Sequence, residues 1–227
     1  MKKILAMVCL MSAPCLTKAT LIAGWNFNTD TTVSHGSGTI DFSHLANSGD
    51  ASIGGSSSGT SVNEVSGDSA GKDLSVQAGG SGEPENGKSI IISTSTSGYQ
   101  NIILTYATEA STTGFTGQQW SYSTDGTHYT SFGSAITLTQ GNTFSENGTQ
   151  TVDFSSVSAL NNVSTIYFEA TLTGATGTSG ADHFDNIQFN ATPVPEPAVW
   201  GMISGAGLLA LCGLRVWRGQ RAQLASG

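Results

Sequence analysis

The sequence predicts an all-β protein: a jelly-roll-like β-sandwich ectodomain over residues 20–192, joined to a single C-terminal transmembrane helix. Ser, Thr and Gly dominate residues 20–192, and this composition disfavours helix. β-branched and aromatic residues recur there in short alternating runs separated by turn residues, which is typical of a two-sheet sandwich. Residues 198–214 form an apolar run that no charge interrupts, which is typical of a membrane span.

The amino terminus has the pattern of a secretory signal peptide, which we place at residues 1–19. Two lysines precede an apolar stretch over residues 4–16, and Thr17-Lys18-Ala19 offers small residues before a cleavage site. Two of the three cysteines lie in this segment and the third is Cys212, so the exported domain has none. Its stability must therefore come from a packed core rather than from disulfides.

The stronger strands of the domain follow in chain order. They cover residues 21–27, 89–93, 102–107, 120–123, 164–172 and 184–189. Asp125-Gly126 predicts a hairpin turn after the fourth of these strands. In the fifth, the apolar residues at even positions face one way, and Tyr167, Glu169 and Thr171 face the other. The first and last strands are expected to lie side by side. Residues 31–82 carry weaker strand signals, and we expect the Gly/Ser-rich stretches 54–59 and 79–82 within them to be loop-like.

The charge of the exported part excludes one class of partner. Residues 20–197 hold all sixteen acidic residues and only two lysines, which leaves a net charge of −14. Such a surface repels the phosphates of nucleic acids. It suits a soluble extracellular polyanion or a binder of divalent cations. We therefore expect no nucleic-acid partner.

A linker and an apolar segment follow the domain. The linker, residues 193–197, contains Pro195, Glu196 and Pro197. Each proline fixes φ and disfavours helix at the residue before it, so the linker should be extended. As a helix, residues 198–214 would be about 26 Å long, close to the roughly 30 Å of hydrocarbon in a bilayer. We predict a transmembrane helix over this range.

A basic tail, residues 215–227, ends the chain. It contains Arg215, Arg218 and Arg221, so the positive-inside bias places the tail in the cytoplasm and the domain outside. The order of proline motif, apolar span and arginines resembles the sorting signal of exported PEP-CTERM proteins. That resemblance implies an exosortase as partner, a membrane protease that cleaves near the motif. The protein would then be exported through the inner membrane and end at the cell surface or outside the cell.

The domain also resembles other PEP-CTERM proteins in three places. These are Ala-Gly-Trp-Asn-Phe at residues 23–27, Gln-Trp-Ser-Tyr-Ser-Thr-Asp-Gly at residues 119–126, and Asp-Asn-Ile-Gln-Phe at residues 185–189. The resemblance implies a β-sandwich and an association with exopolysaccharide or biofilm.

Two short motifs match patterns of nucleotide binding or catalysis. Residues 82–89 spell G-x-x-x-x-G-K-S, but Glu83 and Glu85 would repel phosphates, and a strand rather than a helix is predicted to follow. Residues 55–59 spell G-x-S-x-G inside a Gly/Ser tract that no strong strand precedes. We interpret the first motif as a strand-entry turn and the second as a chance match.

Two carboxylates near the last strand form a candidate metal site. Asp182 and Asp185 bracket the start of this strand. Hard oxygen ligands of this kind suit Ca²⁺, so the sequence gives a hypothesis of one structural calcium ion there, and no other cofactor. The alternative is a solvated acidic strand entrance in which Asp185 accepts hydrogen bonds from backbone amides.

Three functions remain open at this point. The main expectation is a non-enzymatic surface or extracellular-matrix protein associated with exopolysaccharide, because the sequence shows no catalytic set. The alternative is a carbohydrate-binding module whose aromatic side chains stack on sugar rings. The candidate aromatic residues are Trp25, Trp120, Tyr122 and Tyr129, although most of them alternate along their strands as core residues would. A second alternative is a secreted hydrolase that uses an acid pair such as Glu169 and Asp153.

Overall fold

The computed structural model describes residues 18–55 and 58–195. Most of the predicted signal peptide, the predicted transmembrane helix and the basic tail lie outside these ranges, as do Glu196 and Pro197 of the predicted sorting motif. In the part of the chain that is described, no helix is long and apolar enough to cross a bilayer.

The described residues form thirteen strands, one helical turn α1 (Phe144–Asn147), and two 3₁₀ turns at Ser48–Asp50 and Ser158–Leu160. The strands are β1 (Thr20–Trp25), β2 (His35–Gly36), β3 (Gly38–Asp41), β4 (Ala51–Ile53), β5 (Leu74–Gln77), β6 (Lys88–Thr94), β7 (Tyr99–Ala110), β8 (Gly117–Ser123), β9 (Thr130–Ser131), β10 (Ile136–Thr137), β11 (Thr149–Asp153), β12 (Ile166–Thr173) and β13 (Ala181–Pro193).

The strands build two antiparallel sheets, which confirms the predicted β-sandwich. Sheet A has seven strands in the order β11-β7-β13-β1-β2, with β5 also on β13 and β4 on β5. Sheet B has six strands in the order β10-β8-β12-β6-β3, with β9 on β8. From β5 onwards the longer strands alternate between the sheets, which gives the jelly-roll-like arrangement. The predicted neighbourhood of the first and last strands is confirmed, because β1 pairs with the second half of β13.

The core lies between the two sheets and is rich in aromatic rings. Phe168 of sheet B and Phe189 of sheet A stack with centroids 4.6 Å apart. The Tyr106 and Trp120 rings lie 5.4 Å apart, and the Trp120 indole N–H donates to the Tyr106 hydroxyl at 2.9 Å. The predicted alternation of β12 is confirmed, since its even positions from 166 to 172 are fully buried. Burial of each of the three larger side chains, Ile166, Phe168 and Leu172, stabilises the fold by about 1.5–3 kcal/mol.

The region with weak strand signals, residues 31–82, contains four short strands, β2 to β5, and the described residues of the two Gly/Ser-rich stretches lie outside them, as predicted. The four strands were not predicted because each has only two to four residues, too few for an alternating pattern to stand out. Strand β11 was also missed. The segment 82–89 does form a turn that leads into β6, as predicted, and not a phosphate-binding loop followed by a helix.

Part of the outer face of sheet A is covered by the protein's own chain. The connection between β4 and β5 crosses β13, where the Thr60 amide donates to Asp185 at 2.7 Å. The Asn63 side chain donates to the Asn186 carbonyl at 2.7 Å, and the Asn186 side chain donates back to the Thr60 carbonyl at 2.6 Å. These bonds satisfy polar groups that would otherwise be buried without partners. The covered part of sheet A is therefore closed to a large ligand.

Candidate functional site

The outer face of sheet B presents polar and aromatic side chains in two adjacent rows. Antiparallel register places Tyr167 of β12 beside Ser93 of β6, and Ser93 beside Thr39 of β3. The next row runs from Glu169 through Ile91 to Asp41. These residues point outward because their neighbours on each strand fill the core. We call this surface the sheet B cleft.

The cleft contains a cavity of about 150 Å³. Its lining residues are Thr39, Asp41, His44, Ile91, Ser93, Gly126, Tyr129 and Tyr167. Pockets for drug-sized ligands measure about 300–1,000 Å³, so this cavity suits a small unit such as one ring of a longer chain. Two larger cavities, of about 290 and 410 Å³, are poorer in charge: Asp153 alone is charged in the first, and no charged side chain lines the second.

The tyrosine rings of the cleft are held by their neighbours. Gly126 lies in the hairpin turn after β8 at φ +74°, and a Cβ at this position would come within 3.0 Å of the Tyr167 ring. The glycine therefore lets the turn approach the ring closely. The Tyr129 ring meets the His44 ring edge-on, with centroids 6.4 Å apart. Both tyrosines are half-buried.

The Tyr129 hydroxyl is buried and has no hydrogen-bond partner among the described residues. Its pKa is raised to about 12, first by burial and then by the negative charges of Glu169, by Tyr167, and by Asp41 and Asp125. A phenol with a raised pKa stays neutral at physiological pH, so it can both donate and accept a hydrogen bond. Its hydrogen-bonding capacity is therefore unused among the described residues.

The carboxylates of the cleft are held by short hydrogen bonds. The Ser89 hydroxyl donates to Oε1 of Glu169 at 2.7 Å, and Nδ1 of His44 lies 3.7 Å from the same oxygen. Asp41 accepts from the amide and the hydroxyl of Ser43 at 2.8 and 2.9 Å. Carboxylates fixed in this way are ready acceptors for ligand hydroxyls.

A buried glutamate fixes the loop that carries His44. The carboxylate of Glu85 is fully buried and accepts the amides of Ala46 at 2.7 Å and Asn47 at 2.8 Å. Such charge-assisted bonds are among the stronger hydrogen bonds in proteins. The segment 82–89 therefore positions two parts of the cleft: Glu85 holds the His44 loop, and Ser89 holds Glu169.

The structure does not bring Asp182 and Asp185 together. Asp182 points into the core, where it accepts from Thr108 at 3.0 Å and from Gln118 at 2.6 Å. Asp185 lies on the outer face and accepts the amides of Thr60 and Asn186, both at 2.7 Å, as in the alternative interpretation. The expected solvation of this strand entrance is wrong, because both carboxylates are fully buried. No group of three or more potential metal ligands is present within residues 18–55 and 58–195. The calcium site stays a prediction that this geometry does not support.

Burial raises the pKa of both carboxyl groups to about 7. On the neighbouring position of β13, Nδ1 of His183 makes a short hydrogen bond to Asp73. Burial alone would lower the pKa of His183, but this bond and the charges of Asp73, Glu109 and Asp182 raise it instead. These groups are buried and belong to the framework of the domain, away from the cleft.

The aromatic residues proposed for sugar stacking lie mostly elsewhere. Trp25 and Trp120 are each 1% exposed and belong to the core, so their proposed role is wrong. Tyr122 packs against Phe132 and Phe154. Tyr129 does lie at the cleft.

The sequence analysis did not select Tyr167, His44 or Asp41 as binding-site residues, although it placed Tyr167 on the outward face of its strand. The outward alternation of β12 could have pointed to Tyr167. Glu169 and Asp153, suggested as an acid pair, lie on different sheets and do not form one. Of the sorting motif only Pro195 is described, and Arg215, Arg218 and Arg221 lie outside the described residues.

Comparison with known proteins gives fold likenesses only. No family model matches the sequence, and no curated protein matches it. Among solved structures, the CBM22-1 xylan-binding domain from Paenibacillus barcinonensis Xyn10C is 11% identical, with a TM-score of 0.42, over 80% of this chain and 100% of that one. TmCBM61 in complex with β-1,4-galactotriose is 6% identical, with a TM-score of 0.39, over 67% and 86%. The K2 cleaved adhesin domain of Lys-gingipain is 13% identical, with a TM-score of 0.40, over 73% and 97%. Identities and scores this low say nothing about a shared ligand.

Proposed function

We propose that this protein is a non-enzymatic carbohydrate-binding protein and that the sheet B cleft is its binding site. The observation that carries the proposal is the composition of this face. Two half-buried tyrosines, a histidine and one carboxylate line one small cavity and a second carboxylate, Glu169, lies beside it, whereas the protein's own chain crosses the outer face of sheet A.

The chemistry of the cleft matches that of a sugar. A pyranose ring has apolar C–H faces that pack on aromatic rings, and Tyr167 and Tyr129 offer such rings. Its hydroxyls need acceptors, which Asp41 and Glu169 supply through charged oxygens. A hydrogen bond to a charged group contributes about 1.5–3 kcal/mol. A neutral sugar can thus satisfy most of the polar groups that face the cavity.

The cellular setting of the proposal rests on the sequence. The signal peptide, the Pro195-Glu196-Pro197 motif and the arginines that follow the apolar run support export, sorting by an exosortase and display at the cell surface or beyond. At that location a carbohydrate-binding domain would be in contact with exopolysaccharide. We propose that attachment to this polymer is its role, within a matrix or biofilm.

Binding of neutral oligosaccharides by the full-length chain tests the proposal. The chain should be purified in a detergent without a sugar headgroup, and its affinity for xylo-, galacto- and gluco-oligosaccharides measured by isothermal titration calorimetry. We expect binding to at least one of them. Tyr167→Ala should weaken it about tenfold or more, the size typical of a central aromatic contact. Tyr167→Phe keeps the ring and should retain most of the affinity.

Two results would contradict this function. One is the absence of binding across the whole panel. The other is binding that Tyr167→Ala leaves unchanged while the variant remains folded, as judged by its circular dichroism.

A further inference from the structure

The charges around the sheet B cleft are of one sign. Asp41 lines the cavity and Glu169 lies beside it, whereas no lysine or arginine lines it. Residues 18–55 and 58–195 contain no arginine and only three lysines, at positions 18, 72 and 88. His44 is the one lining residue that can become cationic. The cleft therefore presents a negative potential to its ligand.

The two carboxylates are spaced so that one ligand unit can reach both. Asp41 and Glu169 each pair with Ile91 from opposite sides, so one strand lies between them. Neighbouring strands lie about 4.8 Å apart, which puts the two backbones roughly 10 Å from each other. The side chains project to the same face with Ile91 between them, at a spacing that one sugar ring with its substituents can bridge.

The Tyr129 hydroxyl gives an independent sign of an unmade hydrogen bond at this cavity. It is buried at this cavity, unpartnered among the described residues, and lies in the field of Glu169, Asp41 and Asp125. A cationic donor would both satisfy this oxygen and neutralise the field. A hydroxyl could satisfy the oxygen but would leave the charge in place.

We propose that the cleft selects glycans with free amino groups, namely hexosamine units whose amine is protonated, over neutral and uronate-bearing glycans. This inference rests on the carbohydrate-binding function proposed above and narrows its ligand class. An ammonium group between Asp41 and Glu169 makes two ion pairs. Each exposed pair contributes up to about a fivefold gain in affinity. A uronate in the same place meets two like charges and loses affinity.

The test compares three tetrasaccharides with the full-length chain: β-1,4-linked glucosamine, its fully N-acetylated form, and galacturonic acid. Calorimetry is run at a pH at which the amine carries its proton. We expect the glucosamine tetramer to bind about tenfold more tightly than the acetylated one, and the uronate to bind most weakly. High salt should reduce the glucosamine affinity toward that of the acetylated tetramer, because salt screens ion pairs near the surface.

Matched variants test whether the Asp41 and Glu169 carboxylates cause the preference for the glucosamine tetramer. The double change Asp41→Asn with Glu169→Gln keeps the side-chain shapes and should abolish the preference while leaving some affinity for the acetylated tetramer. Asp153→Asn removes one carboxylate from β11 of sheet A and should leave the preference intact, which separates a local effect from a change in overall charge.

The outcomes distinguish this inference from the function beneath it. Equal affinity for the first two tetramers, or tighter binding of the uronate, overturns the selectivity while carbohydrate binding stands. Binding of a trilysine peptide as tight as that of the glucosamine tetramer also overturns it, because charge alone would then suffice. No binding to these sugars or to the neutral panel overturns both.

Discussion

The buried carboxyl groups of β13 predict that the domain is more stable in mild acid than at neutral pH. Burial raises the pKa of Asp182 from 3.8 to about 7, even though hydrogen bonds from Gln118 and Thr108 act against it. The pKa of Asp185 is also raised to about 7 by burial. Between about pH 4 and 7 the folded protein therefore binds protons that the unfolded chain has released. Stability must fall as the pH rises through this window.

The size of the effect follows from the two pKa values. Raising a carboxyl pKa from 3.8 to about 7 corresponds to about 4 kcal/mol of lost stability per group once it is ionised. This is a large fraction of the roughly 5–15 kcal/mol that a domain has. His183 acts in the same direction. Because its pKa is raised, its protonated form stabilises the fold at low pH, and this contribution disappears as the pH rises through the folded-state pKa.

Urea unfolding of the full-length chain between about pH 4.5 and 8 measures this dependence, with near-ultraviolet circular dichroism following the buried Trp25 and Trp120. We expect the midpoint to fall with rising pH. Asp182→Asn should make that fall shallower. Asp153→Asn is the control and should not change it, because hydrogen bonds from Ser155 lower the pKa of Asp153, so this carboxyl is ionised throughout the range. A midpoint that rises across this range, or an equal slope in wild type and Asp182→Asn, would refute the reasoning.

Three further predictions concern the cleft and the sorting signal. Glu85→Gln removes the charge that holds the His44 loop, so sugar affinity measured by calorimetry should fall several-fold while the secondary structure is unchanged. Unchanged affinity would show that the hydrogen bonds of Glu85 do not affect the cleft. Gly126→Ala places a side chain on a residue at φ +74° and against the Tyr167 ring. The free energy of unfolding should therefore fall by about 1 kcal/mol, and sugar affinity should fall as well. A thermal melt like that of wild type would contradict this. Mass spectrometry of the mature carboxyl terminus should show a chain ending near Pro195 only in hosts with the exosortase; an identical terminus without that protease would argue against this sorting route.

The strand alternation could be predicted because it depends on local sequence. In β12 the even positions are fully buried, so Tyr167 and Glu169 were correctly placed on one outward face. Their partner Asp41 could not be foreseen. It reaches them through β3, a four-residue strand, and its pairing with β6 links residues about 50 positions apart. Pairing over such distances depends on the whole fold and leaves no local pattern.

Strand β13 shows why the carboxylates were harder to place. Phe184, at an even position, packs on Tyr106 in the core, and its even neighbour Asp182 also points into the core, where it accepts from Thr108. Farther along, Ile187 and Phe189 are the buried apolar residues, at odd positions. The register against β7 shifts between Asp185 and Gln188, and this irregularity exchanges the two faces. A strict alternation of faces, followed from either end of β13, therefore assigns the residues beyond the irregularity to the wrong face.

The two outer faces of the sandwich differ because of the lengths of their connections. The chain between β4 and β5 is about twenty residues long, enough to cross β13 and to bond to Asn186 and Asp185. Beside the sheet B cleft, the β8–β9 connection is a hairpin of six residues that can only flank the face, with Gly126 against Tyr167. Part of one face thus stabilises the domain through internal polar contacts, while the other keeps two hydrogen-bonded carboxylates beside a buried phenol that has no partner among the described residues. A buried hydroxyl without a partner costs stability unless a ligand satisfies it, which is why the sheet B cleft is where binding should be sought.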